Sequence, residues 1–142
     1  GQFATFENQK LVSTRDSIEL DEILIDGSDK ADVSGMVLKD RETLSTDGAI
    51  VCGIVLDFKT KDLIGGPDVQ SRGVIYLKDA ENLLAEIGNI LCDTVAQAVK
   101  ENRYDNMKVR VEAKEKIQAY VLRNTGKRPM ILPAIVEVNG GK

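Results

Sequence analysis

From residue 49 onward the apolar positions change their period along the chain, and each change marks an element. Ala49 to Phe58 reads Ala-Ile-Val-Cys-Gly-Ile-Val-Leu-Asp-Phe, almost continuously apolar and rich in β-branched residues. Such a run predicts a strand that is covered on both faces or lies at the centre of a sheet. Lys59-Thr60-Lys61-Asp62 is a polar connection of hairpin length. Leu63-Ile64 then returns antiparallel until Gly65-Gly66-Pro67 interrupts regular pairing, and Val74 to Leu77 resumes extended structure.

After Asp79, a candidate N-cap, the spacing lengthens to three and four. Leu84, Ile87, Leu91, Val95 and Ala98 line one face of an amphipathic helix ending near Asn102. A second helix starts near Asn106, buries Val109, Ala113, Ile117, Tyr120 and Val121, and stops at Asn124-Thr125-Gly126, where glycine permits a left-handed cap. Lys127 and Arg128 are placed to complement its negative end. Met130 to Val138 is a last strand, and Pro133 within it implies an edge position or a bulge. The order strand, strand, helix, helix, strand predicts an α+β fold, a two-layer sandwich with a small three- to four-stranded sheet packed on two amphipathic helices.

The first part carries weaker signals. Residues 1–47 read as a polar, irregular appendage or linker with short strands, set apart from a domain over 48–142. A strand-like run at Glu19 to Asp26 closes in the turn Asp26-Gly27-Ser28-Asp29. Met36-Val37-Leu38 is a short apolar run followed by a charged turn, Lys39-Asp40-Arg41-Glu42. Gly1 in place of an initiating Met suggests a fragment of a longer chain.

Composition narrows the function classes. Of 142 residues, 42% are hydrophobic and 30% charged, the balance of a soluble globular domain rather than a disordered tail. No apolar run reaches the length of a membrane span and no signal peptide opens the chain, so the expected compartment is the cytoplasm and no membrane partner is expected. The chain contains no histidine. Hydrolytic zinc sites, Ser/His/Asp triads and Cys/His dyads lean on imidazole near neutral pH, and those chemistries are excluded here. Cys52 and Cys92 are too far apart in sequence for a close-spaced zinc or redox pair and read as buried free thiols, so no metal or cofactor is predicted within the chain.

The net charge of −4 is unevenly spread. Between Lys100 and Arg128 nine Lys/Arg stand against four Asp/Glu, a local +5 that leaves −9 for the rest. A solvated helix face accounts for this first and a nucleic-acid patch second. Gly65-Gly66-Pro67-Asp68 lacks the Gly-Lys-Ser/Thr ending of a phosphate loop and reads as a sharp turn. Ser71-Arg72-Gly73 offers a guanidinium fork to a phosphate or a partner carboxylate, against an internal ion pair with Asp68 or Asp40. Asp57, Asp62 and Asp68 flank the hairpin and read as turn acids rather than magnesium ligands.

Four stretches carry a resemblance. They are Asp32-Val33 with Val37-Leu38-Lys39-Asp40-Arg41; Leu44 with Asp47-Gly48; Gly66-Pro67-Asp68-Val69 with Ser71-Arg72-Gly73-Val74-Ile75-Tyr76; and Thr125 with Lys127-Arg128-Pro129-Met130-Ile131-Leu132-Pro133. In order and spacing they resemble the C-terminal domain of ribonuclease J, of the β-CASP group in the metallo-β-lactamase superfamily, from about Ile23 to Val138. The resemblance implies a zinc-dependent 5′–3′ exo- or endoribonuclease as parent, with zinc held by histidine-rich motifs of an upstream catalytic domain. It also implies that this module supports self-association, as a homodimer or a heterodimer with a paralogue, and activity of the parent, which meets RNA.

Three functions follow for test. The first is an assembly module, with the Met130 to Val138 edge serving by strand addition or edge packing. The second is an RNA-binding module using the basic second helix, with Arg72, Lys108, Arg110, Lys114, Arg123, Lys127 and Arg128 as candidate RNA or partner contacts. An independent enzyme ranks last, because it requires metal chemistry from carboxylates alone.

Overall fold

Asn8 and Gln9 both take left-handed backbone angles, φ 49° and 65°, and this two-residue turn joins β1 (Gln2–Glu7) to β2 (Lys10–Ser17) in an antiparallel hairpin. The computed structural model describes residues 2–19, 35–74 and 80–139. By its internal contacts the chain divides into two units, Gly1–Ser34 and Gly35–Lys142. The hairpin corrects the reading of the first residues as irregular. Asn-Gln lacks the glycine that usually betrays such a turn, and cross-strand pairs such as Thr5 with Ser13 give no apolar alternation. The run predicted at Glu19 to Asp26 and its turn, the N-cap Asp79, and Ile75 to Leu77 lie outside the described residues.

The second unit opens with α1 (Gly35–Thr46). Met36-Val37-Leu38 and the charged residues after it are therefore successive turns of one helix, not a short run followed by a turn. Met, Leu, Lys, Arg and Glu, none of them branched at Cβ, favour that state, while the apolar residues fall on no single face and hide the period. The Thr43 hydroxyl bonds back to the Lys39 carbonyl at 2.9 Å, and Ser45 and Thr46 both bond back to Glu42.

The sheet is built from β3 (Ala49–Asp57), β4 (Leu63–Arg72) and β5 (Met130–Val138) in the order β4-β3-β5. The long apolar strand is central, as its composition predicts, but only one of its faces is covered. Ile50, Cys52, Ile54 and Leu56 are buried, whereas Val51 is 47% exposed. β4 pairs antiparallel to β3, with shifts in register around Val55 where Gly65-Gly66-Pro67 passes. β5 pairs parallel to β3 from Ala49 opposite Met130 to Asp57 opposite Val138. Pro133 thus sits on an edge strand, where a missing N–H costs no ladder bond.

Two helices, α2 (Ala80–Lys100) and α3 (Asn106–Thr125), pack on the sheet. α2 buries Leu83, Ile87, Leu91, Val95 and Ala98, and the predicted Leu84 packs beside Leu83 at the margin of the core. α3 buries Val109, Ala113, Ile117 and Val121, with Tyr120 half-buried. Asp105 caps its start by accepting from the Lys108 amide at 2.9 Å, and Gly126 closes it at φ 72° with its N–H on the Leu122 carbonyl. Gly88 lets α2 lie close on β4, since a Cβ there would stand 2.8 Å from Pro67 Cγ.

Two local features fasten this layer pair. At the end of β5, the Glu137 carboxylate accepts from Lys61 of the β3–β4 turn, from Tyr104 Oη at 2.7 Å and from Asn106 Nδ2 at 2.8 Å. The Lys61 ammonium, with Asn106 and Tyr104, draws the carboxyl from an ordinary 4.5 down to about 2. At the opposite end of the sheet, Gly48 (φ 82°) leaves no room for a side chain, because a Cβ would lie 2.2 Å from the Arg72 carbonyl oxygen.

Both features are testable by equilibrium unfolding. Gly48→Ala is expected to cost at least about 2 kcal/mol, since a left-handed backbone and a backbone overlap add; a urea midpoint within error of wild type would contradict that. A depressed carboxyl pKa contributes stability above the ordinary value and loses it as pH falls through the folded one. Stability should therefore hold from pH 7 to about 5 and decline from about 4.5 towards 2. Glu137→Gln should cost on the order of 1–2 kcal/mol at pH 7 and flatten that decline; identical pH profiles for the two proteins would refute the assignment.

Candidate functional site

The seven candidate contacts do not form one surface. At about 100° per residue, Arg110 and Lys114 lie on the α3 flank nearest β5, whereas Lys108 and Arg123 lie on the opposite flank, across the buried stripe. The second helix therefore presents no single basic face. Arg110 is engaged in the fold, its Nε donating to the Pro133 carbonyl at 2.9 Å. Arg123 lies over the Tyr120 ring, 6.0 Å from its centroid. On the flank carrying Lys108, Glu112 is held by Arg103 and Lys116, which pulls its carboxyl down to about 2 and offsets the local positive charge.

The other three are brought together. β3 and β5 begin, and β4 ends, at one end of the sheet, with Ala49 opposite both Arg72 and Met130. The Met130 N–H bonds the Gly48 carbonyl at 2.9 Å, and the Arg128 N–H bonds Asp47 Oδ2 at 3.1 Å. Lys127 Nζ reaches the Gly73 carbonyl at 3.3 Å, so its side chain turns to the neighbouring segment rather than to the end of α3. Arg72 donates to the Ser71 carbonyl at 2.8 Å and makes no ion pair with Asp68 or Asp40 among the described residues. Arg72 and Arg128 are exposed and Lys127 is half-buried.

A different surface was not singled out from sequence. Cross-strand register places Val51 and Leu132 in one row, Gly53 and Ala134 in the next, and Val55 and Val136 in a third, all on the sheet face away from α2 and α3. Leu132 is 46% and Val136 52% exposed. Asp68, Gln70 and Arg72 border this apolar face on β4. The near-continuous apolar run of β3 concealed it, because that run reads equally well as a strand buried on both sides.

The outer edge of β5 is less available than its sequence implies. Alternate carbonyls at Pro133 and Ile135 accept from Arg110 Nε and from Asn106 Nδ2 at 3.2 Å, and Pro133 has no N–H to offer. Strand addition through the middle of β5 is blocked on both counts.

Among the described residues no group of three or more Cys, Asp or Glu side chains is placed to hold a metal ion. Burial raises the Cys52 thiol to about 11, and burial followed by the charge of Asp93 raises Cys92, so both stay protonated near neutral pH. Cys92 lines a cavity of about 370 Å³ floored by Ile54, Leu56, Leu63 and Val95. Asp57 Oδ1 accepts from the amides of Lys59 and Thr60 and serves the hairpin turn. Glu137 and Tyr104 are committed to each other, and burial with the Glu137 bond raises the Tyr104 phenol. With no histidine in the chain and no thiolate ready, these residues do not fit a hydrolytic zinc centre. No helix among the described residues is long and apolar enough to cross a membrane.

Comparison with known proteins places this module. The family model described as Ribonuclease J C-terminal domain matches residues 36–138. Ribonuclease J 2 of Staphylococcus saprophyticus is 30% identical over 138 residues, which is 97% of this chain and 25% of that protein. Ribonuclease J 2 of Staphylococcus epidermidis and of Staphylococcus aureus are each 32% identical over 131 residues, 92% of this chain and 24% of theirs. The chain spans about a quarter of the length of these relatives. With its α+β layers, its match over most of the second unit and these ribonuclease relatives, the chain belongs to the ribonuclease J C-terminal domain family.

Proposed function

We propose that the chain is a non-catalytic module of a ribonuclease J-type nuclease and supports assembly of that enzyme by packing against a second copy of itself or a paralogue. Zinc and the hydrolytic step belong to the parent's catalytic part, since the residues here do not fit such a centre. The free thiols Cys52 and Cys92 suit a reducing compartment, and the parent works on RNA in the cytoplasm.

The exposed apolar sheet face carries the reading. Its rows alternate in size, with Val51 and Leu132, then Gly53 and Ala134, then Val55 and Val136. A second sheet shifted by one row sets its large residues over the small ones, so the surface is complementary to itself, in the manner of sheets packed about 10 Å apart. Three strands of this length cover about 14 by 30 Å, so a face-to-face pair buries on the order of 1,000 Å², the low end for a specific interface. An interface of that size suits a joint that forms alongside other contacts of a larger parent. The capped edge of β5 favours the face over strand addition.

Val51→Asp with Val136→Asp places charge on the face without touching the core. Sedimentation of the 142-residue chain should show self-association weakened at least tenfold by the pair. A wild-type chain that stays monomeric at high concentration, together with a parent whose oligomeric state survives removal of this module, would sink the reading.

A further inference from the structure

We infer that the end of the sheet formed by Arg72, Lys127 and Arg128 is a binding site for the phosphates of single-stranded RNA. This goes beyond assembly, and it narrows the candidate cations to those the fold gathers. The three come from the end of β4 and from the segment between α3 and β5, more than fifty residues apart in sequence, and are joined through Gly48 and Gly73. The backbone of this corner is held before any ligand arrives, by the N–H of Met130 on the Gly48 carbonyl and that of Arg128 on Asp47, while the Lys127 side chain rests on the neutral Gly73 carbonyl. Rigid placement of cations lowers the ordering cost of binding.

The side chains remain able to bind. The Arg128 guanidinium makes no hydrogen bond or ion pair among the described residues, and the Arg72 guanidinium is held only by the Ser71 carbonyl, a neutral group. Asp47 lies in the same corner, and one of its oxygens is occupied by the Arg128 N–H. Among the described residues, three cations against this one carboxylate leave the corner positive on a chain whose net charge is −4. Guanidinium and ammonium groups read phosphate rather than base edges, and recognition here is independent of sequence. RNA is favoured over an acidic protein because the relatives are ribonucleases.

Fluorescence anisotropy of a labelled oligouridylate of about 15 nucleotides with the 142-residue chain tests this, between about 25 and 250 mM KCl. Three phosphate contacts predict that log K falls with log salt at a slope of about −2. Arg72→Gln, Lys127→Gln and Arg128→Gln combined should weaken binding at least tenfold. Lys100→Gln, Lys108→Gln and Lys114→Gln, an equal change of charge on exposed α2 and α3 positions, should change it less than about threefold. Arg128→Glu alone, whose side chain makes no internal bond, is expected to weaken binding several-fold and decides the matter should the triple variant unfold. No binding at the lowest salt, or equal losses in the two triple variants, overturns the inference. So does an oligoglutamate peptide that binds this corner and is not displaced by RNA, which would assign the site to an acidic protein. Self-association measured on the same samples separates this outcome from the fate of the assembly reading.

Discussion

β5 runs parallel to β3 along its whole length, from Met130 beside Ala49 to Val138 beside Asp57, and this pairing governs the rest of the second unit. An antiparallel partner such as β4 needs only a tight turn, whereas a parallel one needs a crossover long enough to carry the chain back to the starting end of the sheet. Here β4 itself brings the chain back to that end, and the crossover is an out-and-back pair of helices, α2 and α3, whose apolar stripes cover Ile50, Cys52, Ile54 and Leu56 on one face. The opposite face receives no helix from the crossover, so Val51, Leu132 and Val136 stay exposed. Because β3 and β5 start together where β4 ends, Gly48, Arg72 and Arg128 also meet at that end.

Charge is distributed by the same geometry. At one end of the sheet, Glu137 gathers Lys61, Tyr104 and Asn106 and ties the last strand to the hairpin and to the start of α3. Along α3, Glu112 takes up Arg103 and Lys116. Arg110 and Asn106 close the outer edge of β5. Among the described residues, cations collect at the opposite end with Asp47 beside them. The two surfaces left for partners thus differ in physics. One is a dry sheet face suited to another sheet, and the other is a solvated basic corner whose attraction depends on ionic strength. Arg72 belongs to both, since its register places it on the open face beside Ala49.

Within the ribonuclease J family, the proposed role leaves bond cleavage to the parent's catalytic part. Burial raises both of its thiols, Asp57 and Asp105 serve a turn and a helix cap, Glu112 and Glu137 are held in ion pairs, and the chain has no imidazole. What it offers is surface, and the proposed roles in assembly and in holding RNA both draw on groups that the core does not consume.

Much of the second unit was legible in the residues themselves. The period of α2, the start of α3 near Asn106 and its end at Gly126, the central place of β3 and the edge place of Pro133 are local or near-local consequences of side-chain shape and backbone preference. The missing histidine likewise excluded whole reaction classes without any coordinates. The hairpin at Asn8-Gln9 and the helix α1 were not legible, because neither carries an apolar period strong enough to announce it. Which cations stand together was beyond reach as well. Helical phase, visible in sequence, separates Lys108 from Arg110, but the meeting of Arg72 with Lys127 and Arg128 depends on the parallel direction of β5. So does the exposure of Val51, Leu132 and Val136. A strand's sequence records that it is apolar on both faces, and only the path of the connecting helices decides which face is covered.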